Sequence, residues 1–233
     1  MSIGAVSNPV RFLLLVYMSG HLGGINALGG HELIHRREKV HRIAGSITFL
    51  KMLYMHFTTE HVSGHHVKIA TYEDPATARE GESLYAFTFR SAWMGHRDTW
   101  RREVMRLSRR GKGPFSLENR MLHYIGCEVL LLSGTYYVFG SLAVFFHLLY
   151  SAYTILLGES VNYVEHYGLR RKKLENGHYE SIHMRHCWNS PRAISNYLFF
   201  RIQRHSDHHV NSYRPYQILR NFDVAPQLPY GYA

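Results

Sequence analysis

Residues 129–158 read VLLLSGTYYVFGSLAVFFHLLYSAYTILLG, thirty consecutive positions without a charge. A bilayer core about 30 Å thick takes roughly 20 helical residues, so this run is too long for a single crossing. Gly140-Ser141 stands near its middle, which predicts a tight helical hairpin with arms at about 119–138 and 142–160. Glu128 lies in the first arm, and a carboxylate is costly against lipid, so it is expected to face protein. A second uncharged run, FLLLVYMSGHLGGINALGG at 12–30, supplies one further span. Residues 43–57 contain Lys51 and are too short to cross, which predicts a lateral or re-entrant helix. The expected fold class is therefore all-α. It is an integral membrane helical bundle of about three spans, with a histidine-rich helical cap on the cytoplasmic side and a single domain over residues 1–233. Buried helices of a large soluble core would also be apolar, but uncharged runs of this length are rare there. Residues 1–11 show no basic stretch and cleavage site of the signal-peptide kind.

The charge pattern agrees with that topology. The chain has 233 residues, with 27 Lys+Arg against 17 Asp+Glu and a formal charge of +10. Most of the excess lies in residues 58–118 and 161–233, beside the apolar segments. The positive-inside rule then puts the histidine-bearing loops on the cytoplasmic face or its organellar equivalent, and it leaves no need for a nucleic-acid partner. A hydrophobic share of 45% excludes a disordered chain. Two cysteines, Cys127 and Cys187, exclude a disulfide scaffold and a Cys-based zinc finger. Within 93–112, Trp93, Trp100, Val104 and Leu107 recur at helical spacing among six arginines. That predicts a basic amphipathic helix, either lying on an anionic membrane surface or simply solvated.

Four histidine clusters carry the chemistry among 18 histidines. The first, His31-Glu32-Leu33-Ile34-His35, ends the first span and places two imidazoles on one helix face. In Glu60-His61-Val62-Ser63-Gly64-His65-His66, His61 and His65 repeat that spacing, and His66 is free to turn to a neighbouring metal. Gly64 lets another group approach closely. The third is Asn162-Tyr163-Val164-Glu165-His166, expected just after the hairpin. The fourth, His205-Ser206-Asp207-His208-His209, spaces its imidazoles at i, i+3 and i+4. HExxH alone also fits a zinc protease, but zinc needs about three protein ligands and would leave the other histidines idle. Nine nitrogens suit two metals, and iron is the economical choice for imidazole ligands and O₂ chemistry. Glu32, Glu60, Glu165 and Asp207 stand beside the clusters and are expected to orient ligating rings by accepting their free N–H, with direct ligation a weaker option. His21, His41, His56, His96, His123, His147, His178 and His183 fall outside this pattern, with His186 the marginal case.

HELIH, EHVSGHH, NYVEHYGL and QRHSDHH resemble the histidine boxes of the membrane-bound alkane 1-monooxygenases, within the fatty-acid desaturase-like superfamily. The stretches DPATAREGES at 74–83, Trp188-Asn189-Ser190, SNYLF at 195–199 and QLPYGY at 227–232 are similar to stretches of the same family. The resemblance runs from about Gly20 to Ala233. It implies a non-haem site of two irons, held by His31, His35, His61, His65, His66, His166, His205, His208 and His209. It also implies O₂ as oxidant, hydroxylation of the terminal carbon of an alkane or lipid chain, and electrons from a rubredoxin-like carrier. The setting would be a bacterial inner membrane or an organellar one, and no catalytic side chain is required beyond the metal ligands.

Members of that family carry a longer region before HELIH, so the chain is expected to lack their N-terminal spans and to take helices from a partner chain. Gly20 and Gly24, at GxxxG spacing, offer a surface either for such a helix or for close packing of the neighbouring hairpin. A lipid desaturase and a non-catalytic structural subunit are the alternatives.

Overall fold

The computed structural model describes residues 8–232; the signal-peptide reading therefore falls largely outside the described residues. Helix α1 (Pro9–Ile34) starts where Asn8 accepts hydrogen bonds from the backbone N–H groups of Val10 and Arg11, with Pro9 in the first turn. Helix α2 (Lys39–Lys51) folds back along the second half of α1. The approach is close: a Cβ on Gly45 would lie 2.8 Å from the Gly30 carbonyl oxygen. A helix thus stands where one was expected before the second histidine cluster, though it begins earlier and ends at Lys51.

A single turn, α3 (Phe57–Glu60), runs into a π-turn at His61–His65 and a closing turn at His66–Lys68. After a loop comes α4 (Leu84–Ser108), capped by the Ser83 hydroxyl on the Ala86 N–H. Its buried stripe is Phe87, Ser91, Gly95, Thr99, Glu103 and Leu107. Of the four apolar positions of the amphipathic pattern, Leu107 is buried, Trp100 and Val104 are partly so, and Trp93 is exposed. Small residues at 91, 95 and 99 let α4 lie close to its neighbours, and Gly95 places a Cβ position 3.3 Å from the Glu60 side chain.

The hairpin forms as α5 (Arg120–Phe139) and α6 (Ser141–His166), joined by Gly140 at φ +79°, a conformation open to glycine. Glu128 does face protein: its Oε1 accepts the Met55 N–H at 2.8 Å. Helix α6 runs beyond the expected end to include Glu165 and His166, so the third cluster sits on its last turn rather than after it. Two helices, α1 and α6, are long and apolar enough to cross a membrane; α5, with Arg120 and Glu128, falls short of that apolarity, against the three spans expected.

The glycine face of α1 is already covered. A Cβ on Gly20 would meet the Tyr153 ring at 2.3 Å, and one on Gly23 would meet Tyr150 and Thr154 at 2.8 Å. The glycines thus seat α6 of the same chain, with Leu157 taking the place over Gly24. Phe12 continues the seam, stacked 6.0 Å from Phe145.

After α6 the chain is mostly irregular, with short helices α7 (Ala193–Leu198) and α8 (His205–Val210). Among the described residues there is no strand beyond two isolated bridges. Asn189 is the knot of this region. Its Oδ1 accepts the Ser206 N–H at 2.9 Å, and its backbone bonds Pro226 and Leu228 of the tail. Trp188 N–H donates to the Glu165 carbonyl oxygen at 2.9 Å. These bonds hold α8 against the end of α6.

Candidate metal centre

The nine clustered histidines come together in two groups, with the candidate ligand atoms of each group within 4.8 Å of one another. His31, His35, His61, His66 and His208 form one; His65, His166, His205 and His209 form the other. All are buried except His66, which is partly so. His31 and His35 share a group, as their helical spacing requires.

The second cluster divides differently from its expected pairing. An i, i+4 reading puts His61 with His65. In the π-turn the repeat is longer than in an α-helix, so His61 aligns with His66 while His65 swings to the other group. In α8, His205 and His209 keep the i, i+4 relation and His208 faces the opposite group.

Ring nitrogens converge inside each group. His31 Nε2 lies 2.7 Å from His61 Nε2, and His66 Nε2 lies 3.1 Å from both His61 Nε2 and His208 Nε2. In the second group, His205 Nε2 is 3.0 Å from His166 Nε2 and 2.9 Å from His209 Nε2. A neutral imidazole has one N–H and one lone pair, so a nitrogen facing two others cannot satisfy both by hydrogen bonding. A cation can. Metal–nitrogen bonds of about 2.1 Å at right angles set two ligand nitrogens about 3 Å apart. The observed separations are of that order, as adjacent ligands of one metal ion require.

The acids are arranged otherwise than expected. Asp74, which sequence reasoning did not place at the site, has its Oδ2 2.9 Å from His65 Nδ1. The Thr77 hydroxyl and the Ala76 N–H hold the same carboxylate. Burial opposes charge on Asp74, yet His65 and Thr77 keep its pKa below the usual carboxylate range. Burial likewise opposes charge on His65, and Asp74 overcomes it, raising the imidazole pKa. Nδ1–H therefore donates to Asp74, and Nε2, which has no partner of its own, is left to face the group. Burial, then His65 and Arg36, lower His35 to about 3, so it presents a neutral ring.

Glu165 touches the centre: its Oε2 stands 3.2 Å from His205 Nε2. The side chains of the other three expected acids make no hydrogen bond or ion pair with a histidine of either group. Glu32 pairs with Arg36 and accepts the Tyr216 N–H. Asp207 binds Arg214 at 2.7 Å and the Arg220 N–H at 2.8 Å, which braces α8 from behind. Glu60 packs under Gly95, and burial pushes its pKa up to about 8. His186 stays outside both groups, bonded to Glu180 and to the His183 N–H. Arg102 fills the space that Gly64 leaves open, its guanidinium 2.3 Å from where a Cβ would stand.

A cavity of about 420 Å³ opens onto the centre. His31, His61 and His205 are exposed to it, and Leu28, Phe49, Ile155, Leu157, Leu198 and Ile202 give it apolar walls. Of the hairpin, α6 lines it and α5 contributes none of the lining residues.

The sequence matches the fatty acid desaturase family over residues 8–233. It is 39% identical to alkane 1-monooxygenase 1 of Pseudomonas aeruginosa over 94% of this chain and 57% of that protein. It is 42% identical to alkane 1-monooxygenase 1 of Alcanivorax borkumensis over 95% of this chain and 55% of that one. It is 30% identical to the hydroxylase component of the xylene/toluene monooxygenase of Pseudomonas putida, over 96% of this chain and 60% of that component. The chain spans a little over half the length of the curated relatives it matches.

Proposed function

The chain belongs to the fatty acid desaturase family, where it stands with the alkane 1-monooxygenases, and from that premise we propose that it serves a membrane monooxygenase hydroxylating the terminal methyl group of an alkane or related hydrocarbon chain. The carrying observation is the pair of histidine groups at the end of an apolar cavity. The nine histidines are the proposed ligands of two irons, five at one position and four at the other. The reaction is R–CH₃ + O₂ + 2e⁻ + 2H⁺ → R–CH₂OH + H₂O, and the metal pair, when bound, supplies the activation of O₂.

The protein's part follows from its residues. Asp74 orients His65 and fixes which nitrogen faces the site. The α1–α6 seam and the tail enclose the cavity, so the substrate's chain lies against carbon and its end stops at His31, His61 and His205. Water is excluded where a reactive oxidant would otherwise be lost. We place α1, α6 and the α5 arm in the bilayer, with the substrate entering from lipid and the histidine cap on the cytoplasmic side of a bacterial or organellar membrane. The exposed arginines at the end of α4, Arg109 and Arg110, suit docking of a small acidic electron carrier of the rubredoxin kind.

The test is to purify the chain in mild detergent, measure metal, and supply an alkane, O₂ and a reduced carrier. Two irons per chain and a primary alcohol are expected. An alkene product would favour a desaturase, and iron without any product would favour a structural subunit. One zinc and no iron would overturn the reading.

A further inference from the structure

Glu165 is treated by its surroundings as part of the four-histidine group. Its side chain is 1% exposed, on the last turn of α6, next to His166. The Tyr232 hydroxyl donates to Oε1 at 3.0 Å. Oε2 is thereby turned toward His205 Nε2, at 3.2 Å. That nitrogen already faces His166 Nε2 at 3.0 Å and His209 Nε2 at 2.9 Å. If it donated a proton to Glu165 it would have no lone pair for the group. The carboxylate instead occupies the same kind of edge, about 3 Å, that separates the ring nitrogens, the spacing expected between adjacent ligands of one metal.

We propose that Glu165 supplies an oxygen ligand to the metal held by His65, His166, His205 and His209, with Tyr232 positioning it. The two metal positions are then equal in ligand number and unequal in kind: five imidazoles at one, four imidazoles and a carboxylate at the other. An anionic ligand stabilises the more highly charged ion by Coulomb attraction, so the Glu165 position is the more easily oxidised of the two. The cavity reaches both Glu165 and Tyr232, so this asymmetry lies next to the bound substrate. The inference rests on the proposed two-iron reading.

The test is Mössbauer spectroscopy of the reduced protein grown on ⁵⁷Fe, with iron content and chelator competition measured alongside. The unaltered protein is expected to show two quadrupole doublets of equal area. Glu165→Gln should change one doublet only, or lose it, and weaken one iron by at least about 10-fold in chelator competition. Tyr232→Phe keeps the carboxylate but frees Oε1, and should shift that same doublet while retaining both irons. It decides the matter if Glu165→Gln does not accumulate. Two irons with both doublets unchanged in either variant would overturn the role of Glu165 while leaving the two-iron reading intact. An unaltered protein without iron would overturn both.

Discussion

Asp74 Oδ2 and His65 Nδ1 are 2.9 Å apart, both side chains wholly buried, nine residues apart in sequence and joined across a loop. A buried carboxylate that aims an imidazole at a metal raises its basicity and fixes its tautomer. Asp74→Asn keeps the size and removes the charge. It should weaken metal binding at the four-histidine position by about 10- to 100-fold, read by chelator competition, with the five-histidine position unaffected.

The ligand assignment separates histidines that otherwise look alike. His66→Ala and His209→Ala, one from each group, should each lower iron content measurably below two per chain by elemental analysis. His21→Ala and His147→Ala should retain it, because His21 bonds the Tyr17 carbonyl and His147 the Lys51 carbonyl, away from both groups. Equal losses in all four variants would mean that the assignment is wrong.

Glu103 gives the fold an acid-sensitive joint. Burial works against its charge, but Arg106, Arg120 and the Arg120 N–H hold its pKa down to about 2. A folded-state pKa below the unfolded one adds stability above the ordinary carboxylate range, and that stability disappears as pH falls toward 2. Glu103→Gln should cost about 1–3 kcal/mol at neutral pH. It should also flatten the loss of thermal stability between about pH 4.5 and 2, measured by melting in detergent.

Two glycines test the packing. A Cβ on Gly45 would press on the α1 backbone at Gly30, which cannot turn aside, whereas Gly29 faces open space. Gly45→Ala should destabilise by about 1–3 kcal/mol. Gly29→Ala should be neutral or stabilising by up to about 1 kcal/mol, since alanine favours helix. Thermal unfolding of the pair side by side is the check.

The histidine boxes and the hairpin were legible because each is marked by residue type: imidazole at short spacing, or a long absence of charge. Glu128 was legible for the same reason, as one acid in an apolar stretch. Positions where the chemistry is carried by contact were not. Nothing in the composition of α6 marks whether it ends at Ser160 or runs on to His166. Asp74 is a loop aspartate like any other until the fold brings it to His65. Glu32 and Asp207 look equally suited beside their histidines, but helix geometry turns both toward arginines. Gly20 reads alike for any close helix, and only the fold shows that Tyr153 takes the place.

The π-turn at His61–His65 holds one more residue than an α-turn along the same axis. Losing a residue there would rotate everything after it by about 100° and carry His65 and His66 away from their respective histidine groups, with the composition hardly changed. The stretch is therefore read by count as much as by content. Val62 and Ser63 can change identity and keep the count, but a one-codon insertion or deletion cannot. Over evolutionary time, length rather than spelling is what this turn obliges the gene to keep.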